Sequence, residues 1–332
     1  MELRFESKQL QLKETFAIAY GNYDKRDALC IELSHQNCKG YGECVAIDYY
    51  QINLQGFVLK LKEIQSQIEL QKIIHPKDFF TFLVRLNLHP FLLSALDCAY
   101  WDLFGKLENK SFTALNNLPS ENLMESSITI SVAEIDHQIE KISKSNWNRF
   151  KVKCKGLNKT NVEKFLQLNE NIALDSNSSF TDEDCIWLQE NVEVQKFSYL
   201  EQPRPIDNYK ILKKESFANW MADEDCQSID VLEELFPYYK SINIKLMKCG
   251  GLTPALEMIK RAKELNYKIM IGCMTESSIG ISAGCVLAGL VDYVDLDGAN
   301  LISNDYATGS FVENGNIILS STPGLGIELK QK

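Results

Sequence analysis

The sequence predicts an α/β chain in which an N-terminal α+β unit precedes a parallel βα-barrel. Two observations carry this expectation. Residues 1 to about 50 alternate apolar and polar and then give way to helical periodicity, whereas from about residue 125 short apolar runs with charged ends alternate with helical stretches. Those ends are evenly spaced: 22, 26, 22 and 22 residues separate Lys153, Asp175, Glu201, Asp223 and Lys245. Each interval holds one strand and one return helix, the repeat a barrel needs.

Taken in order, Leu29-Cys30-Ile31-Glu32-Leu33 has strand alternation, and turn residues at Gly21-Asn22 and Gly40 divide the first segment into a meander of about three strands. Phe57, Leu61, Ile64 and Ile68 then recur at helical spacing, and a broad apolar face follows from Leu92 to Leu103. Eight runs read as parallel strands: 128–131, 149–153, 172–175, 197–201, 220–223, 242–245, 269–272 and 293–295. Between them Thr253-Pro254 reads as an N-cap with proline at N1, and Gly280 to Val291 as a buried helix. An open doubly wound sheet of eight strands is the alternative.

Composition narrows the function. Of 332 residues, 45% are hydrophobic and 24% charged, and the net charge is −10. This describes a soluble globular protein whose acidic balance argues against nucleic acid as a partner. No run approaches a membrane span, and Met1-Glu-Leu-Arg-Phe-Glu lacks the apolar core of a signal peptide. The ten cysteines form no C-x-x-C pair and read as reduced thiols of a cytoplasmic protein. All four histidines (His35, His75, His89 and His137) precede residue 138, so histidine-bound zinc and Ser-His or Cys-His catalysis are excluded from the segment beyond. Nucleotide-binding glycine loops and a G-x-S-x-G elbow are absent.

In a βα-barrel the strand C-termini share one mouth. Those ends are Lys151/Lys153, Asp175, Glu201, Asp223, Lys245 and Asp295/Asp297. A single charged residue at such a place is ordinarily a cap or a solvated surface group. Three carboxylates on successive strands, flanked on both sides by lysine-ended strands, are a pattern. Adjacent strands lie about 4.8 Å apart, so these carboxylates repel unless a hard cation joins them, and oxygen-only ligands select Mg²⁺ or Mn²⁺. Lys151 and Lys153 project from the same face, where mutual repulsion is expected to lower the pKa of at least one. With Lys245 across the barrel, two bases face a metal-bound substrate, the arrangement for taking a proton from one side of a carbon and returning it on the other.

These residues resemble the enolase superfamily, and within it the muconate-lactonising subgroup. Ala95-Leu-Asp97-Cys-Ala99-Tyr-Trp101-Asp102-Leu-Phe-Gly105-Lys106 is similar to the family's A-x-D-x-A-x-W-D-x-x-G-K helix, and Pro323-Gly-Leu-Gly-Ile-Glu-Leu to its closing segment. Lys151-Val-Lys153, Leu174-Asp175-Ser-Asn177, Leu200-Glu201-Gln202-Pro203, Ala222-Asp223-Glu224 and Asn243-Ile-Lys245-Leu-Met-Lys248 are similar to the subgroup's strand ends. The resemblance implies a (β/α)7β modified TIM barrel (123–305) under an α+β capping domain (1–122) that the closing segment (306–332) completes. It implies one Mg²⁺ per site on Asp175, Glu201 and Asp223, with Mn²⁺ as a substitute. Lys153 and Lys245 become the acid/base pair, Lys151 tunes Lys153, and Asn177 and Glu224 support the ligands.

Finer resemblance points to dipeptide epimerases. Asp295-Leu-Asp297 is similar to the D-x-D motif that binds a dipeptide's α-ammonium group, and Thr129 lies in a similar first-strand segment. Cys273, Met274 and Glu276 follow the seventh strand, and Lys25 or Arg26 sits where relatives read the second residue's side chain. The implied substrate is L-Ala-D/L-Glu, a peptide of cell-wall recycling, handled by a cytoplasmic homo-oligomer. N-acylamino acid racemase, o-succinylbenzoate synthase and muconate cycloisomerase activities share the scaffold and are the alternatives; a non-catalytic barrel is a third reading. Two departures bear on specificity: Ser-Asn-Ser-Ser-Phe after Asp175, and Asp225 after Glu224, which with Asp24 would favour a cationic or neutral dipeptide.

Overall fold

The computed structural model describes residues 1–331. The chain opens with the antiparallel meander β1 (Glu2–Ile18), β2 (Gly21–His35) and β3 (Cys38–Val45), paired in that order. Leu29, Ile31 and Leu33 of β2 are fully buried, as the alternation requires. Gly40, expected in a turn, lies inside β3 instead; the turn falls at Gln36, whose φ is 53°. The glycine is needed for contact. A Cβ on Gly40 would come 2.2 Å from Ala99 O, and one on Gly42 1.9 Å from Ala95 O, because a helix lies directly on the strand.

Three helices cover this sheet: α1 (Leu54–Glu69), α2 (Pro76–Val84) and α3 (Pro90–Leu107). The two His-Pro pairs start α2 and α3. His75 Nδ1 accepts from Lys77 N (3.3 Å) and His89 Nδ1 from Phe91 N (3.2 Å), with the proline at the first helical position, where a missing N–H costs nothing. Both histidines are helix caps.

Among the described residues the barrel sheet has eight strands: β4 (Ile128–Ile130), β5 (Arg149–Lys153), β6 (Asn171–Asp175), β7 (Leu200–Glu201), β8 (Trp220–Ala222), β9 (Ser241–Lys245), β10 (Lys268–Gly272) and β11 (Tyr293–Asp295). They pair in parallel in chain order, and a parallel bridge between Ser126 and Val294 closes the ring. Every expected strand is found, β7 reduced to two residues. Register puts Lys153, Asp175 and Glu201 at one level, and Lys245, Gly272 and Asp295 at another. The Gly280 to Val291 stretch is the buried helix Ser278–Cys285 followed by a short 3₁₀ turn. No helix of the described residues is long and apolar enough to cross a membrane.

Helix α3 fastens the two layers. Asp97 accepts from Thr253 N (2.8 Å) and Thr253 Oγ1 (2.7 Å), and Trp101 Nε1 donates to the same hydroxyl (2.8 Å). Thr253 is therefore not the N-cap: its helix runs Leu252–Glu264 after Gly251, which has no side chain to cap with, and Asp97 supplies the cap from the other layer. The C-terminal segment returns to the same helix, where Leu325 N donates to Asp102 Oδ1 (2.7 Å) and Lys106 Nζ to Ile327 O (2.7 Å).

Burial pushes the Asp97 carboxyl up to about 7, against the hydrogen bonds from Thr253. A carboxyl raised in the folded state contributes stability fully present below its unfolded pKa, near 3.9, and lost as pH rises through the folded value. The Asp97→Asn substitution is therefore expected to cost less stability at pH 8 than at pH 5. Thermal unfolding of both proteins at the two pH values tests this; a cost that grows with pH contradicts it.

Candidate active site

The strand ends surround a cavity roofed from the meander layer by Phe16, Tyr20 and Tyr50. Asp175, Glu201 and Asp223 are at most 2% exposed. Buried carboxylates at this density persist only with partners. Lys153 Nζ donates to Asp175 Oδ2 (2.5 Å), Lys245 Nζ to Asp223 Oδ2 (2.8 Å), and Lys248 Nζ to Asp223 Oδ1 (2.6 Å). Lys151 is hydrogen-bonded to Asp295 and lies 3.6 Å from Glu201 and 3.8 Å from Asp175. Glu201 Oε1 accepts from Asn243 Nδ2 (2.7 Å), but its Oε2 is buried without a hydrogen-bond partner.

The charges act on one another. Burial pushes Glu201 up to about 7, helped by Asp175 and Asp223 and opposed by Lys151. For Asp223 burial acts upward too, but Lys245 and Lys248 outweigh it and hold the carboxyl well below the usual range. Lys151 departs from expectation. Burial lowers it, yet Asp295, Glu201 and Asp175 together raise it well above an ordinary lysine. The repulsion inferred from Lys151-Val-Lys153 is overruled by the carboxylates of three other strands, so Lys151 stays an ammonium. Burial also opposes charge on Lys245, and Asp223 more than restores it.

Among the described residues no three His, Cys, Asp or Glu side chains converge as a ready metal cage. Ammonium groups engage Asp175 and Asp223. The donor set nevertheless fits a hard divalent cation: all oxygen, buried, on consecutive strands, with Glu201 Oε2 left over. Asn177 N donates to Asp175 Oδ1 (3.0 Å), and Asn177 Nδ2 to Glu224 Oε1 (3.3 Å). Burial, then Asp223 and Asp175, push Glu224 up to about 8.

At the last strand Asp295 Oδ1 accepts from Ser127 Oγ (2.8 Å) while its other oxygen holds Lys151. Asp297 Oδ2 accepts from Thr129 N (2.6 Å). Burial and then Asp295 push Asp297 up to about 6. Of the two, Asp297 is the carboxylate not committed to a lysine.

With two lysines and a row of carboxylates on the mouth of a closed barrel, comparison with known proteins is decisive. Residues 134–332 match the family described as enolase C-terminal domain-like. The chain belongs to the enolase superfamily. It is 34% identical to the L-Ala-D/L-amino acid epimerase of Maribacter sp. over 337 residues, covering 100% of both chains. It is also 34% identical to the L-Ala-D/L-amino acid epimerase of Flavobacterium johnsoniae, covering 99% of this chain and 100% of the other. Among solved structures, the dipeptide epimerase of Enterococcus faecalis complexed with Mg and L-Leu-L-Tyr aligns with a TM-score of 0.87 at 25% identity, covering 98% of each chain.

The rest of this superfamily site is built by the meander layer and the loops. Arg26 lines the cavity, 6% exposed, with its guanidinium 4.4 Å over the Tyr23 ring, Nη1 donating to Ala46 O (3.0 Å) and Nε without a partner. Lys25, its neighbour on β2, points to the opposite face and is exposed outside the cavity. Cys273 and Met274 line the cavity together with Thr275. Glu276 does not; its Oε1 accepts from Met274 N (2.6 Å) and tightens the loop that the others sit on. Glu43 of β3 accepts from Ser277 N (2.8 Å) and Oγ (2.7 Å), tying that loop to the meander.

Asp225 was expected to add negative charge for the substrate to meet. It is instead buried and committed, accepting from Asp207 N (2.9 Å), Gln202 Nε2 (2.8 Å) and Tyr239 OH (2.7 Å). Asp24 is exposed, holds Thr15 Oγ1 (2.6 Å) and lies outside the cavity. The structure thus removes the argument for a cationic substrate. Four polar residues carried no assigned role in the sequence: Asn243, Lys248, Gln202 and Glu43. The first three stand in the strand-end motifs, and Asn243, two residues before Lys245, shares its inward face; Glu43 alone had no signal.

Proposed function

We propose that this enzyme is an Mg²⁺-dependent dipeptide epimerase that inverts the α-carbon of the C-terminal residue, with L-Ala-L-Glu as its first substrate. One observation carries the reading: Lys153 and Lys245 line one cavity from strands that flank the three carboxylate-bearing strands on either side. The full-length likeness to L-Ala-D/L-amino acid epimerases supports it.

Asp175, Glu201 and Asp223 would hold Mg²⁺, which when bound would supply the positive charge that acidifies a carbon next to the substrate carboxylate. Lys153 or Lys245, in its neutral form, takes the α-proton from one face, and the other, as an ammonium, returns one to the opposite face. Lys151 pairs with Glu201 and Asp295, and Lys248 with Asp223, which keeps the carboxylate row from repelling itself. Asp297 receives the free α-ammonium group, which substrates lacking an amine would leave unpaired. Arg26, a buried cation with an unused N–H, receives the acidic side chain of the second residue. A role in recycling cell-wall peptides follows from that substrate.

The test is ¹H NMR of L-Ala-L-Glu with enzyme and Mg²⁺ in D₂O. Loss of the glutamyl α-proton with growth of the L,D isomer is the expected result. Silence here and across cationic and apolar dipeptides would reject the epimerase reading in favour of acylamino acid or cycloisomerase chemistry.

Gln202 links Asp225 to the ligand row, since Gln202 Oε1 accepts from both Asp223 N (2.9 Å) and Asp225 N (3.2 Å). Supporting hydrogen bonds of this kind are worth about 10–100-fold in metal affinity or activity. Asp225→Ser is expected to weaken Mg²⁺ binding, measured by calorimetry, by about tenfold, with the circular dichroism spectrum unchanged. Unaltered affinity would leave Asp225 a purely structural residue.

A further inference from the structure

A second hollow opens beside the mouth between strand β1 and the helix Ile135–Ser143. It exists because β1 bulges. Gln11 pairs with Lys25 and Phe16 with Tyr23, so residues 12–15 leave the ladder and stride over the barrel rim. The bulge is tied down by the Leu12–Ile302 bridge, by Ser303 N donating to Gln11 O (2.8 Å), and by the ion pair of Glu14 with Lys141.

Phe16, Thr129 and Leu301 line this groove and the active-site cavity alike. Thr129 N is the group that holds Asp297, so groove and cavity meet where the substrate's amino group is received. The groove floor is apolar, with Leu12, Ile128 and Ile130. Its rim carries Lys13, Lys141 and Lys144 against Glu14 and Glu140. Glu14 pairs with Lys141 and Glu140 with Lys144, which leaves the exposed Lys13 without an ion pair among the described residues. In a chain of net charge −10 this is a local positive excess, and it selects an acidic occupant.

We propose that the groove receives an acidic residue joined to the amino end of the dipeptide, so that the enzyme also epimerises the C-terminal residue of tripeptides such as L-Glu-L-Ala-L-Glu. The inference rests on the dipeptide reading above. The chemistry is unchanged: the α-C–H bond of the third residue breaks to one lysine and reforms from the other. The middle residue now presents an amide N–H where the dipeptide had an ammonium group, and Asp297 can still accept from it. The first residue's side-chain carboxylate meets Lys13, the rim lysine left without an ion pair among the described residues.

The experiment follows C-terminal α-proton exchange in D₂O for Ala-Glu, Glu-Ala-Glu and Lys-Ala-Glu, with the wild-type enzyme and with Lys13→Glu, a surface change that does not touch the reacting groups. The wild type is expected to exchange Glu-Ala-Glu within about tenfold of Ala-Glu, and Lys-Ala-Glu about threefold more slowly than Glu-Ala-Glu, as one exposed charge warrants. Lys13→Glu should reverse the order of the two tripeptides and leave Ala-Glu unchanged. Exchange of Ala-Glu with both tripeptides silent overturns the groove while sparing the dipeptide reading, as does an equal effect of Lys13→Glu on all three peptides. Silence with Ala-Glu as well overturns both.

Discussion

Alanine at Lys153 or at Lys245 is expected to lower epimerisation by about 10²–10⁴-fold, the usual range for a positioned acid or base, and to leave a protein that still folds. Folding survives because each lysine's carboxylate keeps a second cation: Asp223 retains Lys248 at 2.6 Å, and Asp175 retains Lys151 at 3.8 Å. The two losses differ in kind. Each single variant keeps one base on one face, so it should exchange the α-proton of only one diastereomer with solvent deuterium. Incubating L-Ala-L-Glu and L-Ala-D-Glu separately with each variant in D₂O reads this directly. A variant that still exchanges both isomers removes that lysine from the reaction.

The largest stability effect is expected far from the mouth, at Asp102. Its carboxylate is fully buried and serves three donors: Lys106 Nζ (2.7 Å), Tyr41 N (3.1 Å) and Leu325 N (2.7 Å). Burial pushes it up to about 6 against the pull of Lys106. Alanine there takes the counter-charge from the half-buried Lys106 ammonium and the acceptor from two backbone N–H groups at once. Breaking a buried ion pair by removing one partner costs about 3–5 kcal/mol, and Asp102→Ala is expected within that range by urea unfolding. Asp102→Asn, which keeps an acceptor, should cost clearly less. A change under about 1 kcal/mol for the alanine variant, the size of a surface ion pair, contradicts this account.

The barrel was legible in the sequence because its signal is local. An apolar run of four or five residues ending in a charge marks a strand and its upper end, and even spacing marks the repeat. The lysines and carboxylates came with it, since period two fixes which side chains face inward. What escaped depends on neighbours remote in sequence. Lys151 looked like the partner of Lys153, two residues away, but its charge is set by Asp295, Glu201 and Asp175 on other strands. Asp225 looked free because Gln202 and Tyr239 lie elsewhere in the chain. Lys25 and Arg26 were inseparable until the register of β1 and β2 put one inside and one outside. Gly40 reads as a turn residue from its neighbours alone, because the helix that presses on it is about sixty residues downstream.

The fastening on α3 has a consequence for how the molecule comes into being. Asp97 and Asp102 are made early, yet their partners Thr253 and Leu325 lie 156 and 223 residues later in the chain. On a ribosome, the first layer therefore emerges with the Asp97 carboxylate, one oxygen of Asp102 and the Trp101 indole N–H still waiting, and it waits through the synthesis of nearly the whole barrel. Contacts of such separation make folding slow, because loop closure has to precede the contacts that reward it. The nascent meander spends that interval with a face of α3 uncovered, the period in which a chaperone would find it.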